Sequence, residues 1–219
     1  MLRSVAVLLW LACCLIARQE SLAAGDGPEV KAGLTVRNAV GQPDRPHVSA
    51  RALMISANAC MIDKKWEEAI EVYKKVLKAD SENDRATFGW GTALIELKRY
   101  KEALKILEPL LAKCPDDAAL KNNIAWICVS STDPAVRNVE KATKLARQAI
   151  LDKPGDQDVW STLAETHYAA GRYELALRAS RIAVQLAQEQ SPSRVWAFWD
   201  IFRRCSRAVD AEKGKAPVQ

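Results

Sequence analysis

The sequence predicts an all-α solenoid, built from four helical hairpins and closed by a C-terminal capping helix. Three observations carry that prediction. A small residue recurs at a spacing of 34 (Ala69 to Ala103, and Ala142 to Ala176), with 39 between Ala103 and Ala142. A second small residue recurs upstream, at Ala57, Gly91, Ala125 and Ala164. Between them the apolar residues fall at helical spacing, as Ile70, Tyr73, Val76 and Leu77 do, and again Leu104, Leu107, Leu110 and Leu111.

The chain has 219 residues, 49% hydrophobic and 27% charged, which is ordinary for a folded protein and argues against a largely disordered one. Nine Gly and nine Pro exclude collagen-like and proline-rich architectures. The net charge of +5 has both signs interspersed and does not by itself point to nucleic acid. Two well-separated histidines, His47 and His167, leave little room for a histidine-based metal site or triad.

Residues 1–24 read as a secretory signal. Arg3 supplies the positive start, residues 5–16 an apolar run, and Ser21-Leu22-Ala23 the small residues for cleavage after Ala23. The run is shorter than the ~20 residues a membrane span requires. Two other outcomes stay open: retention as an uncleaved anchor, and lipidation at Cys13, where Trp10-Leu11-Ala12-Cys13 loosely resembles a lipobox with Trp in place of Leu. Residues 25–49 hold Gly25, Gly27, Pro28, Gly33, Gly41, Pro43 and Pro46 without helical period, and read as a flexible leader.

The repeats follow at 50–83, 84–117, 118–156 and 157–190. An aromatic precedes the small residue of the second helix at Trp66, Tyr100 and Tyr173, and Pro115 and Pro154 close two of the repeats. Pro109, inside the second helix of repeat two, predicts a kink or a shortening there. Repeat three carries five extra residues near Ser131-Thr132-Asp133-Pro134-Ala135. Pro192 in a first helical turn starts a further helix over 195–209, with Val195, Phe198, Phe202, Cys205 and Val209 on one face. This helix covers the last apolar face, and residues 210–219 read as a disordered tail.

These residues resemble the tetratricopeptide repeat, in which 34 residues form two antiparallel helices. The resemblance covers the four repeats and implies a right-handed solenoid. The small residues Ala57, Ala69, Gly91, Ala103, Ala125, Ala142, Ala164 and Ala176 would then be its close-packing positions. The stretch Asn123-Ile124-Ala125-Trp126 with Arg137-Asn138 is similar to an extended repeat of bacterial proteins. The resemblance further implies a groove lined by first helices. Its candidate partner-binding residues here are Arg51, Asn58, Arg85, Phe88, Thr92, Asn122, Trp126, Glu165 and Tyr168. Met54 and Gly89 stand at two places that the family's carboxylate clamp needs, which disfavours recognition of a chaperone C-terminus.

No catalytic constellation, phosphate loop, metal motif or cofactor motif is visible, so no catalytic residue, metal or cofactor is expected. Cys60, Cys114, Cys128 and Cys205 fall on helices. Pairing two repeats apart would exceed the ~7 Å Cα limit, and Cys114 and Cys128 sit near opposite ends of a helix of roughly 18–20 Å. Arg178, Arg181, Arg194, Arg203, Arg204 and Arg207 skew the C-terminal end positive and read as a solvated face. The expected role is an exported, non-enzymatic module, periplasmic or secreted, that binds a protein or peptide and not nucleic acid. Contact with a membrane is expected only through the N-terminal segment. The alternative is an envelope structural or assembly factor anchored by lipid or by its signal.

Overall fold

The computed structural model describes residues 49–214. The signal segment with Cys13, the leader with His47 and residues 215–219 lie outside the described residues. The helices among them are α1 (Ala50–Ile62), α2 (Trp66–Ala79), α3 (Asp84–Glu96), α4 (Tyr100–Lys113), α5 (Ala118–Ser130), α6 (Val139–Asp152), α7 (Gln157–Ala169), α8 (Tyr173–Gln190) and α9 (Trp196–Lys213). A 3₁₀ turn at Pro192–Arg194 precedes α9. Each helix packs on its neighbours in sequence, and first helices also touch first helices, as in a helical-hairpin solenoid.

Side chains start every first helix. Ser49, Asn83, Asp117 and Asp156 accept backbone N–H groups at the heads of α1, α3, α5 and α7. The hairpins then close with three-residue turns. The Lys65 N–H donates to the Cys60 carbonyl (2.8 Å), the Arg99 N–H to that of Leu94 (2.9 Å) and the Arg172 N–H to that of His167 (2.9 Å). With the preceding N–H groups bonded one residue nearer, this is the Schellman closure. It needs a left-handed residue. Gly171 meets the need freely at φ 71°, whereas Lys64 (60°) and Lys98 (59°) carry a Cβ there.

Repeat three replaces that turn with the loop 131–138. Arg137 Nη1 donates to the carbonyls of Val129 (2.6 Å) and Ser131 (3.3 Å), and the Asn138 N–H donates to the carbonyl of Cys128 (2.9 Å). The acceptors at the end of α5, which a Schellman turn would satisfy, are thus met by the inserted residues. A guanidinium at a helix C-terminus also opposes its negative end. Asp133 holds the loop's own turn through the Ala135 N–H (2.9 Å) and pairs with Lys101 (2.8 Å).

All eight small residues of the repeat pattern are buried. Gly91 is the most constrained of them: a Cβ there would lie 2.3 Å from Leu107 Cδ2. Gly89 is equally tight against the Tyr73 ring, at 2.4 Å. Two expectations need correction. Pro109 lies within α4, yet α4 has 14 residues, the same as α2 and α6. Pro109 is exposed and the helix continues past it to Lys113, so the expected shortening does not occur. Residues 210–213 are the last turn of α9 and not part of a disordered tail; Val209 is buried just before them. The buried face of α9 also includes Ile201, fully enclosed, while Phe202 is only half-buried.

Candidate functional site

A concave pocket of about 420 Å³ opens on the face made by the first helices. Trp126, Val129 and Ser130 come from the last two turns of α5, and Glu165, Tyr168 and Ala169 from the matching turns of α7. Arg137 enters from the inserted loop and Arg204 from α9. The register follows from the repeat. Trp126 and Glu165 each succeed the buried small residue of their helix, and Val129 and Tyr168 lie one turn on.

Arg204 organises the far wall. Its Nη2 donates to Glu165 Oε1 at 2.5 Å and its Nε to Asp200 Oδ2 at 3.2 Å. The guanidinium lies 5.2 Å from the centre of the Tyr168 ring, within cation–π range. Tyr168 in turn stacks, tilted by 56°, on Tyr173 with ring centres 5.3 Å apart. The near wall is the half-buried Trp126 beside Arg137. The pocket therefore joins flat aromatic surface to two guanidinium groups, one carboxylate held by the second of them. That combination suits a side chain with an apolar body and a polar or anionic tip.

Of the residues expected to bind a partner, the pocket gathers Trp126, Glu165 and Tyr168. Arg51 and Arg85 are exposed on α1 and α3, outside the pocket. Phe88 is half-buried against the core, and Asn122 is half-buried with its Oδ1 enclosed and lacking a hydrogen bond. One member needs correction. Thr92 is fully buried: its hydroxyl donates to the Phe88 carbonyl (2.9 Å) and accepts from Asn123 (3.4 Å) because α5 packs over it. Asn58 accepts the Tyr73 hydroxyl at 2.9 Å, which ties α1 to α2.

Sequence reasoning missed Arg137 and Arg204. Arg204 counted there as one of a solvated basic cluster, and nothing local marks it as different from Arg203 or Arg207. A signal existed in the spacing: Arg204 follows Glu165 by 39 residues, the same step that separates Trp126 from Glu165. Arg194 also leaves the solvated set. It is buried, and its Nη2 donates to both Asp158 oxygens at 3.0 and 3.1 Å, pinning the start of α9 to α7. Arg178, Arg181, Arg203 and Arg207 are exposed.

The four cysteines among the described residues are free thiols. Burial pushes the Cys205 thiol up to about 11 and raises that of Cys128, which makes both poor nucleophiles. His167 is buried on α7. Burial, with Arg172 and Arg147 nearby, lowers its pKa, and its Nδ1 has no hydrogen-bond partner. No group of three metal-ligating side chains occurs among the described residues, and no described helix is long and apolar enough to cross a membrane.

Residues 61–127 match the tetratricopeptide repeat family. The human tetratricopeptide repeat protein 33 is 26% identical over 122 residues, which make up 55% of this chain and 45% of that protein. The chain thus spans about half the length of the curated relatives it matches. Among solved structures, MamA from Desulfovibrio magneticus, residues 41 to the end, superposes with a TM-score of 0.55 at 20% identity. That match covers 66% of this chain and 79% of MamA. YrrB, described as a tetratricopeptide repeat protein with an unusual peptide-binding site, gives 0.54 at 20% identity over 69% of this chain and 75% of YrrB. Identities this low speak for the shared fold.

Proposed function

We propose that this chain is an exported, non-enzymatic interaction module that holds a segment of a partner protein in the face lined by α3, α5, α7 and α9. The observation that carries the reading is the pocket where Trp126 and Tyr168 stand beside Arg137 and Arg204. A rigid concave wall limits the entropy lost on binding, and aromatic anchors flanked by arginine are the residue types that carry most binding energy at interfaces. The repeat fold and the peptide-binding description of one structural neighbour support a peptide or protein ligand. Any reaction associated with the complex belongs to the partner.

Peptide display against the immobilised chain tests this. Selected peptides are expected to carry an apolar or aromatic residue next to an acidic one. They should bind Trp126→Ala at least about tenfold more weakly, the loss typical of a hot-spot truncation. Selected peptides that bind Trp126→Ala and Tyr168→Ala as tightly as the parent chain would remove the pocket from the proposal. Export and place of action rest on residues 1–24 alone. The mass of the mature N-terminus separates the outcomes: a free Ala24 supports the periplasmic or secreted module, and an acylated Cys13 supports the anchored envelope factor.

A further inference from the structure

The two guanidinium groups of the pocket differ in what they already hold. Arg204 uses its side-on edge twice: Nε donates to Asp200 Oδ2 at 3.2 Å and Nη2 to Glu165 Oε1 at 2.5 Å. Two carboxylates of the chain thus fill the edge that a ligand carboxylate would need. Arg137 is bound at its other end. Its Nη1 donates to the carbonyls of Val129 (2.6 Å) and Ser131 (3.3 Å), which takes both Nη1 hydrogens. Its Nε and Nη2 have no acceptor among the described residues, and no described carboxylate forms an ion pair with it.

Nε and Nη2 are the parallel pair of donors that matches the two oxygens of a carboxylate. The two carbonyls fix the guanidinium, so less side-chain freedom is lost when an anion docks on the free edge. Trp126 lines the same pocket and supplies apolar surface for a neighbouring side chain. Glu165 lines it too. A second ligand carboxylate would therefore meet a like charge and find the matching edge of Arg204 filled.

We propose that the pocket takes a single aspartate or glutamate side chain of the partner segment on the Nε–Nη2 edge of Arg137, and that Glu165, by occupying Arg204, excludes a second one. This assignment rests on the pocket proposed above as the binding site. It adds one receptor for the acid and sets the number of acids at one. The partner chain runs on over α3, so the carboxylate is a side chain and not a chain end.

Fluorescence anisotropy with amidated dodecapeptides tests this. Each peptide carries one central phenylalanine in a glycine–serine background, with no glutamate, one glutamate or two glutamates beside it. On the wild-type chain one glutamate should tighten binding about three- to fivefold, the upper range for an exposed ion pair. A second should add nothing. In Arg137→Gln the peptides with one glutamate and with none should bind alike. Each ratio is taken within one variant, so a change in fold stability cancels. Arg137→Lys keeps the charge without the paired donors and should recover only part of the gain. In Glu165→Gln the second glutamate should tighten binding about twofold.

A glutamate gain that persists in Arg137→Gln overturns the proposal, as does a further gain from the second glutamate on the wild-type chain. A peptide without glutamate that gains as much from a free C-terminus gives the site to a chain end and overturns the side-chain assignment. If Trp126→Ala weakens the peptide without glutamate while wild type shows no glutamate gain, the acid receptor falls and the apolar pocket stands. Peptides that bind wild type and Trp126→Ala alike, or bind neither, remove the pocket itself and this assignment with it.

Discussion

The first two repeats and the last two share one 34-residue module but treat its inner face differently. In α1 and α3 the polar residue that follows the small one is used within the fold, Asn58 on the Tyr73 hydroxyl and Thr92 between α3 and α5. In α5 and α7 the same positions are Trp126 and Glu165, which line a pocket. The difference comes from neighbours and not from the module. Five extra residues bring in Arg137, and α9, standing where a fifth first helix would, brings in Arg204. A repeat array thus acquires a site where its regularity is broken.

The largest effect should come from the regular half. Gly91→Leu places side-chain carbon inside the space of Leu107 and should cost about 3 kcal/mol or more, a drop in melting midpoint of roughly 6–12 °C. An unchanged midpoint by calorimetry would mean that α3 and α4 do not pack in this register. In the irregular half, Trp126→Ala should lower the melt less than Gly91→Leu does and cost peptide binding about 2 kcal/mol or more by isothermal titration. Arg85→Ala, on the regular half, should change that binding little. Equal losses for the two variants would erase the contrast between the halves.

Arg137→Ala tests the insertion itself. Two carbonyl acceptors at the end of α5 exchange an exposed guanidinium for water, at a cost of about 0.5–1.5 kcal/mol, and binding should weaken with it. Urea midpoints matching wild type would make the loop a tolerated excursion. The hairpin turns offer a smaller comparison. Lys98→Gly relieves a left-handed side chain and should stabilise by about 1 kcal/mol, while Gly171→Ala should destabilise by a similar amount. Two substitutions of the same sign in urea unfolding would contradict the shared closure.

The smallest expected effect is the titration of His167. Its pKa is lowered in the folded chain, chiefly by burial, so the unfolded chain takes up the proton first. Stability should therefore be unaffected above about pH 6.5, the ordinary histidine value, and fall as pH drops below it. His167→Gln should flatten the melting midpoint between pH 7 and 5.5. A slope identical to wild type would assign the acid sensitivity to other groups.

Most of the fold was legible because it depends on local spacing. The 34-residue step, the small residues and the capping Asn and Asp side chains act within one or two turns of where they are written. Pro109 did not shorten α4, because Leu107 and Leu110 pack on the core on either side of it and carry the helix through. The site was legible only by halves. Trp126 and Tyr168 follow from register on a first helix, whereas Arg204 looks like any basic surface residue until α9 is laid against α7.

What the sequence determined by itself is the class of structure: a helical-hairpin solenoid and the apolar faces that its helices bury. Those follow from the periodicity of a helix and from residue volume, which are properties of near neighbours along the chain. Tertiary structure alone decided which polar residues are spent on the fold and which face the pocket. It alone made Arg194 an anchor, Arg204 a pocket wall and Arg137 a helix cap. Those roles depend on groups 6 to 39 residues away in sequence coming within hydrogen-bonding distance. Burial and pairing are set by what packs over a side chain, and only the assembled array says what that is.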